Sequence, residues 1–215
     1  METISRSAIS WLNEQLEAEY TIEKHSYSHQ DDVYVIQMLH KKVFLKISSH
    51  LETERRCLIA VAPYLHVPSV LAFTRIDDKD HLLLGEVPGR NLVEYIGEWS
   101  NESIVKEFAR AIRVFHELDP GKIFPGKNTE GFVVLHGDMA LPNIISATQG
   151  EASYIDLGQM HLGKRDTDLA DAIWSLQRNI GPEYGESFLK EYGNVTMTEK
   201  IEKALQFRYS LENND

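Results

Sequence analysis

The stretch VVLHGDMALPNII, residues 133–145, constrains this chain more than any other. Val133, Val134 and Leu135 form a short apolar run that reads as a buried strand, and Ile144 and Ile145 begin another. Between them lies a polar loop carrying His136, Gly137, Asp138 and Asn143. A loop held by a strand at each end suits the presentation of a carboxylate and an amide to something outside the sheet. Alone, His-Gly-Asp is an ordinary turn, with glycine supplying permissive backbone angles and Asp bonding nearby amides. YIDLG, residues 154–158, adds a second signal: it brings another carboxylate, Asp156, back beside the loop at the end of the next strand.

These groups have a chemical reading. A hard divalent ion such as Mg²⁺ needs only a few protein oxygens and otherwise keeps water or takes phosphate oxygens, so the Asn143 amide and the Asp156 carboxylate are a sufficient contribution. Asp138 is then left to accept a proton from a hydroxyl that attacks a phosphoryl group. Upstream, VFLKI places Lys46 inside an apolar strand, where an unpaired ammonium would be costly. Glu54 in the following helix could pair with it and hold the charge near nucleotide α and β phosphates. The competing reading puts Lys46 on the open face of an edge strand, turned to solvent.

Composition narrows the classes. With 215 residues, 42% hydrophobic and 26% charged, the chain reads as an ordinary soluble globular protein with one large core or two small lobes sharing a cleft. A formal net charge of -11 argues against nucleic acid and suits a cationic ligand, though acidic balance also serves solubility alone. The single cysteine, Cys57, gives no disulfide framework, which fits a reducing cytoplasm; Cys57 itself reads as packing. No run approaches ~18 apolar residues, and the opening METISRSAISWLNEQL reads as an amphipathic helix, so neither a membrane span nor a signal peptide is expected.

Periodicity predicts the elements. A helix over 7–19 places Ile9, Leu12 and Leu16 on one face, and a hairpin follows, turning at His40-Lys41-Lys42 with Tyr34, Ile36 and Met38 on one side. A helix limited by Pro63 leads to a second hairpin, with its turn at Asp77–Asp80 and its exit through Gly85 to Gly89. A Ser100 or Asn101 cap starts a helix with an Ile104, Phe108, Ile112, Phe115 stripe, stopped by Asp119-Pro120-Gly121. A hairpin turning at Gln149-Gly150, a helix through Leu169, Ile173, Leu176 and Ile180, and a last helix from Thr196 with Glu199 in a capping box complete the chain. The strands thus cluster before the glycine-bearing connector at 85–89 and the helices after it, an α+β organisation with its boundary at that connector.

VFLKI, the Glu of ETERRCL, LLLGEVPG, FHELDP, LHGDMALPNII and YIDLGQMHLGKRDTDLADAIWSL, in that order, resemble the aminoglycoside phosphotransferase family, the kanamycin-kinase branch of the protein-kinase-like fold. The resemblance implies a two-lobed α+β fold: a small β-rich nucleotide-binding lobe at 1–84, a hinge at 85–89 and a mostly helical catalytic and substrate lobe at 90–215. It implies Asp138 as catalytic base, Asn143 and Asp156 as Mg²⁺ ligands, Lys46 as the phosphate-binding lysine and Glu54 as its partner. Gly85 to Val87 would bond the adenine through the backbone. Asp168 matches a carboxylate that braces the catalytic loop, although a helix cap there is equally physical. The acidic end SLENND resembles the tail by which the family grips amino sugars, making Glu212 and the terminal carboxylate of Asp215 candidate substrate contacts, beside the reading of a solvated terminus. The implied activity is transfer of the γ-phosphate of ATP or GTP to a hydroxyl of an aminoglycoside, in the manner of a 3'-phosphotransferase.

Three departures from the pattern stand out. The phosphate-covering loop, EKHSYSHQDDVYV, has no glycine and sets Asp31 and Asp32 near a triphosphate. Only GKIFPGKNTEGFVV joins FHELDP to LHGD, where relatives insert a helical segment, and Gln159 stands where some relatives carry Arg. The short joining segment leaves a smaller alcohol or amino alcohol as an alternative acceptor. The glycine-free loop leaves a nucleotide-binding module without turnover as another alternative.

Overall fold

The structure, a computed structural model, describes residues 4–25 and 31–212, with side chains as far as Ser210. The chain divides into two compact units, residues 1–62 with 68–87, and residues 63–67 with 88–215.

The first unit comprises α1 (Arg6–Leu16), β1 (Tyr20–His25), β2 (Asp32–Met38), β3 (Lys42–Ser48), α2 (Leu51–Val61), β4 (Val70–Ile76) and β5 (Lys79–Gly85). The five strands form one antiparallel sheet in the order β1-β2-β3-β5-β4. Alternation along β2 and β3 turns Tyr34, Ile36 and Met38 together with Val43, Leu45 and Ile47 into a core with Leu12 of α1 and Leu83 of β5. Cys57 is buried, and burial raises its thiol above the usual range, consistent with a packing role.

Two expectations need correction here. The β4–β5 turn is two residues long, Asp77 and Asp78, both left-handed at φ 50° and 60°, the conformation that matches strand twist and that Asp tolerates. Lys79 and Asp80 belong to β5, where the buried Asp80 carboxylate accepts the Leu51 N–H that opens α2, at 3.0 Å. Periodicity also overlooked β1, because this edge strand buries nothing fully.

The second unit comprises β6 (Arg90–Asn91), α3 (Asn101–His116), α4 (Pro120–Ile123), β7 (Val133–Leu135), β8 (Ile144–Ser146), β9 (Ala152–Tyr154), β10 (His161–Gly163), α5 (Asp166–Asn179), α6 (Tyr184–Gly193) and α7 (Glu199–Glu212). Ser100 caps α3, accepting the Ser103 N–H at 3.2 Å, and the stripe of Ile104, Phe108, Ile112 and Phe115 is fully buried. This helix ends at His116; Asp119 and Pro120 begin the single turn of α4 instead of stopping α3. β7 pairs with β10, and β8 and β9 form the expected hairpin, extended by β6.

The last helix begins one residue pair later than its sequence signal suggested. Thr198 accepts the Ile201 N–H at 3.3 Å, so the Thr196–Glu199 capping box is not the cap used. α6, overlooked in the sequence, packs Phe188, Leu189 and Tyr192 against α3 and α5. α7 lies along α5.

Candidate active site

The loop between β7 and β8 sits where the sequence suggested, and α5 explains its rigidity. Asp168, Asp171 and Ser175 recur at helical spacing along α5, a polar stripe among buried residues that are otherwise apolar. Asp168 is fully buried; one of its oxygens accepts the His136 N–H at 2.8 Å and the other the Gly137 N–H at 3.1 Å. Seven residues on, Ser175 Oγ accepts the Leu141 N–H at 3.0 Å, so one helix grips the loop near both ends. No side-chain bond caps α5, which removes the cap reading of Asp168.

Two histidines complete the brace. His116 Nε2 lies 3.0 Å from Asp168 and its Nδ1 2.9 Å from the Tyr192 hydroxyl. Burial alone would raise the Asp168 carboxyl, but the hydrogen bond and charge of His116 and the backbone bond of His136 hold it below the usual range. His136 is fully buried, and burial pushes its imidazole down, so the ring is neutral near pH 7. Its Nε2 faces the Ile155 carbonyl at 2.9 Å and must donate there, leaving Nδ1 to accept the Asp138 N–H at 3.3 Å. Gly137 is left-handed at φ 85°, and a Cβ there would stand 2.3 Å from the Gln159 carbonyl oxygen. Only glycine fits that approach.

Asn143 ties the two functional ends of the loop together. Its side-chain amide donates to the Asp138 carbonyl at 2.8 Å and to Asp138 Oδ2 at 3.0 Å. Both contacts are to oxygens, so the NH₂ faces Asp138 and the amide oxygen remains to accept elsewhere. The Asn143 carbonyl accepts the Ile155 N–H at 3.1 Å, which makes Asp156 its neighbour across the hairpin. Asp156 is left-handed at φ 60°, a conformation Asp tolerates better than most residues.

The other candidates lie on the first unit. Lys46 is 7% exposed and Glu54 3%, and Lys46 Nζ lies 2.7 Å from Glu54 Oε2. β3 is an interior strand, so the edge-strand reading of Lys46 fails. Asp31 lies 3.7 Å from Lys46, and Asp32 pairs with Lys24 at 2.6 Å; most of the glycine-free loop, residues 26–30, lies outside the described residues. The Gly85 N–H is already bound to the Ser69 carbonyl at 2.9 Å, so it has no second donor to offer a base. Asp215 lies outside the described residues, and Glu212 closes α7 without a described side chain.

Arg208 of α7 was not anticipated. Its Nη2 lies 3.4 Å from Asp138 Oδ1, its Nε 3.6 Å from Asp171, and its guanidinium sits 4.4 Å from the Trp174 ring centroid. The Nε is buried without a hydrogen-bond partner. Nothing in KIEKALQFRYSLE marks this Arg from its charged neighbours, whereas Asp171 was discernible as a carboxylate three residues beyond Asp168 on a buried helix face.

Comparison with known proteins places this arrangement. Solved aminoglycoside phosphotransferase APH(3'')-Id from Streptomyces rimosus, in complex with ADP and streptomycin, superposes with a TM-score of 0.73 over 96% of this chain and 98% of its own, at 18% identity. The fold is that of the aminoglycoside phosphotransferases. Residues 125–203, which contain the loop, the hairpin and α5, match the family model described as Phosphotransferase enzyme family. An aminoglycoside 3'-phosphotransferase of Niallia circulans is 25% identical over 243 residues, covering 88% of this chain and 93% of that protein. That of Enterococcus faecalis is 26% identical over 198 residues, covering 70% and 75%. The two-lobed α+β architecture implied by the sequence resemblance is therefore the one this chain adopts.

Proposed function

We propose that this chain is a small-molecule kinase that moves the γ-phosphoryl of ATP or GTP to a hydroxyl of an aminoglycoside. The observation that carries the reading is the Asp138–Asn143 clamp: one side chain donates to both the backbone carbonyl and the carboxylate of Asp138 and keeps its oxygen for a cation. Asp138 receives the proton of the attacking hydroxyl; a new P–O bond forms at the γ-phosphorus, the bond to the β-phosphate oxygen breaks, and ADP or GDP leaves. Oδ2 is held by Asn143 at 3.0 Å and Oδ1 meets Arg208 at 3.4 Å, so Oδ1, the more weakly engaged oxygen, is the one presented to the hydroxyl.

Mg²⁺ suits the donors present. The Asn143 amide oxygen and the Asp156 carboxylate are hard ligands, and among the described residues no group of three or more His, Cys, Asp or Glu side chains gathers to cage a metal. Two protein ligands leave the remaining positions to water and phosphate; the bound ion would neutralise charge developing on the phosphates. On the first unit, Lys46, held by Glu54, supplies positive charge for the α and β phosphates, and at the hinge the Val87 N–H is the donor for the base. The lobe roles of 1–84 and 90–215, the bracing role of Asp168, and a cytoplasmic setting complete the proposal; Glu212 and Asp215 remain its proposed acceptor contacts. The relatives' names supply the acceptor class.

The test is turnover of MgATP and MgGTP with kanamycin or neomycin, beside Asp138→Asn. The expected result is phosphorylated aminoglycoside, a loss of roughly a hundredfold or more in kcat for Asp138→Asn, and unchanged nucleotide affinity. Asparagine turning over at the wild-type rate would remove Asp138 as the base, and nucleotide binding with no phosphorylated aminoglycoside would remove the function.

A further inference from the structure

Arg208 places a full positive charge at the point where the acceptor must arrive. Its Nη2 is 3.4 Å from Asp138 Oδ1, while Asn143 occupies the opposite oxygen. The guanidinium is held from behind by Asp171 at 3.6 Å and by the Trp174 face at 4.4 Å. Its Nε hydrogen is buried and unbonded, and one long hydrogen bond from Nη2 to Asp138 Oδ1, with the 3.6 Å approach to Asp171, leaves the planar donor set largely unfilled. A hydroxyl that hydrogen-bonds Oδ1 therefore sits beside the guanidinium, and so does whatever the next carbon carries.

We propose that Arg208 determines acceptor specificity, selecting acceptors whose attacked hydroxyl is flanked by a hydroxyl or another hydrogen-bond acceptor and disfavouring those flanked by an ammonium. The assignment rests on reading Asp138 as the base that meets the acceptor hydroxyl. The physical cause is the contrast between two neighbours: an ammonium within several ångströms of a partly buried guanidinium is repelled, whereas an oxygen there accepts one of its N–H groups. The net charge of -11 acts over a longer range, drawing a polycation toward the protein, and does not offset a like charge at contact distance. The consequence is a kinase that favours one pattern of amines among cationic sugars.

Kanamycin A and kanamycin B test this directly, since they differ in carrying a hydroxyl or an amine beside the 3'-hydroxyl. The wild-type protein should favour kanamycin A by about tenfold in kcat/KM, most of it in KM. Arg208→Gln should bring the ratio toward one, Arg208→Glu should invert it, and Arg208→Lys should keep it above one, with thermal midpoint and ATP affinity measured on each variant to verify the fold. A wild-type ratio near one, or a ratio that Arg208→Glu leaves unchanged, overturns the proposal while leaving the kinase reading intact. If neither sugar is phosphorylated, the kinase reading falls, and the ratio of dissociation constants for the two sugars on the ATP-bound protein decides the role of Arg208 by the same criteria. Binding of neither sugar would overturn both.

Discussion

The loop at 136–143 and the C-terminal half of α7 meet at Asp138, yet they are held by different kinds of force. On the loop side, Asp168, Ser175 and Asn143 make hydrogen bonds of 2.8 to 3.1 Å, most of them to backbone groups, in a buried setting. On the α7 side, Arg208 makes ion-pair contacts of 3.4 and 3.6 Å and lies over a ring, and its neighbours Phe207 and Tyr209 are exposed. Directional bonds to backbone fix one geometry, whereas charge and ring-face contacts tolerate small displacements. The half that performs chemistry is thus rigid, and the half that meets the acceptor is free to vary with little cost to the fold.

Removing Asp168 tests this contrast most severely. Asp168→Ala strands two backbone N–H groups and the His116 ring in the core, a loss of about 3–5 kcal/mol. The thermal midpoint should fall by on the order of 10 °C, and turnover should fall further than the lost folded fraction explains. Arg208→Gln, on the α7 side, should shift the midpoint by only a few degrees. Equal losses from the two variants would erase the distinction between the halves.

Gly137→Ala probes the rigid half without removing a polar group. The added Cβ meets the Gln159 carbonyl at 2.3 Å, at a φ that an L side chain resists, so destabilisation of about 2–4 kcal/mol is expected. Because the strain is relieved by moving the residue before Asp138, kcat should drop by at least about tenfold even at temperatures where the variant is folded. A variant that melts early and yet turns over normally would show that the loop yields without displacing the base.

The same contrast explains what was legible in the sequence. Asp138, Asn143 and Asp156 lie within one strand–loop–hairpin unit, so local spacing suffices to bring them together, and β7, β8 and β9 fall where apolar runs predict. Lys46 and Glu54 were readable because a lysine inside an apolar strand needs a partner and the next helix begins five residues on, whereas the interior place of that strand, which removes the edge reading, depends on sheet order. Arg208 was not, since its contacts span up to 70 residues and depend on how α7 lies along α5. α6 escaped notice because it is short, carries a glycine at its second and last positions, and has only Phe188, Leu189 and Tyr192 as its large buried side chains. The start of α7 was misplaced because two threonines precede it, and only the second bonds an orphan N–H.

Asp171, which supports Arg208, gives the finest test because it acts through pH. Burial pushes its carboxyl up to about 7; Arg208 pulls it down, and the charges of Asp168 and Asp138 push it up further. Near pH 4 and below, folded and unfolded chains both tend to keep this proton. Between about 4 and 7 the unfolded chain releases it while the folded chain retains it, so this group's contribution to stability declines as pH rises and is spent once the folded carboxyl ionises. Asp171→Asn carries no such proton. Its stability relative to the wild type should therefore improve by on the order of 2 kcal/mol between pH 5 and pH 8, read from urea midpoints at the two values. In the same window the wild-type Asp171–Arg208 contact changes from a neutral acid beside a cation to an ion pair, which offsets part of the guanidinium charge, so the kanamycin A to B preference should soften with pH more in the wild type than in Asp171→Asn. A stability difference that does not change with pH would mean that Asp171 ionises as freely in the fold as outside it, and that the α7 side is as fixed as the loop it faces.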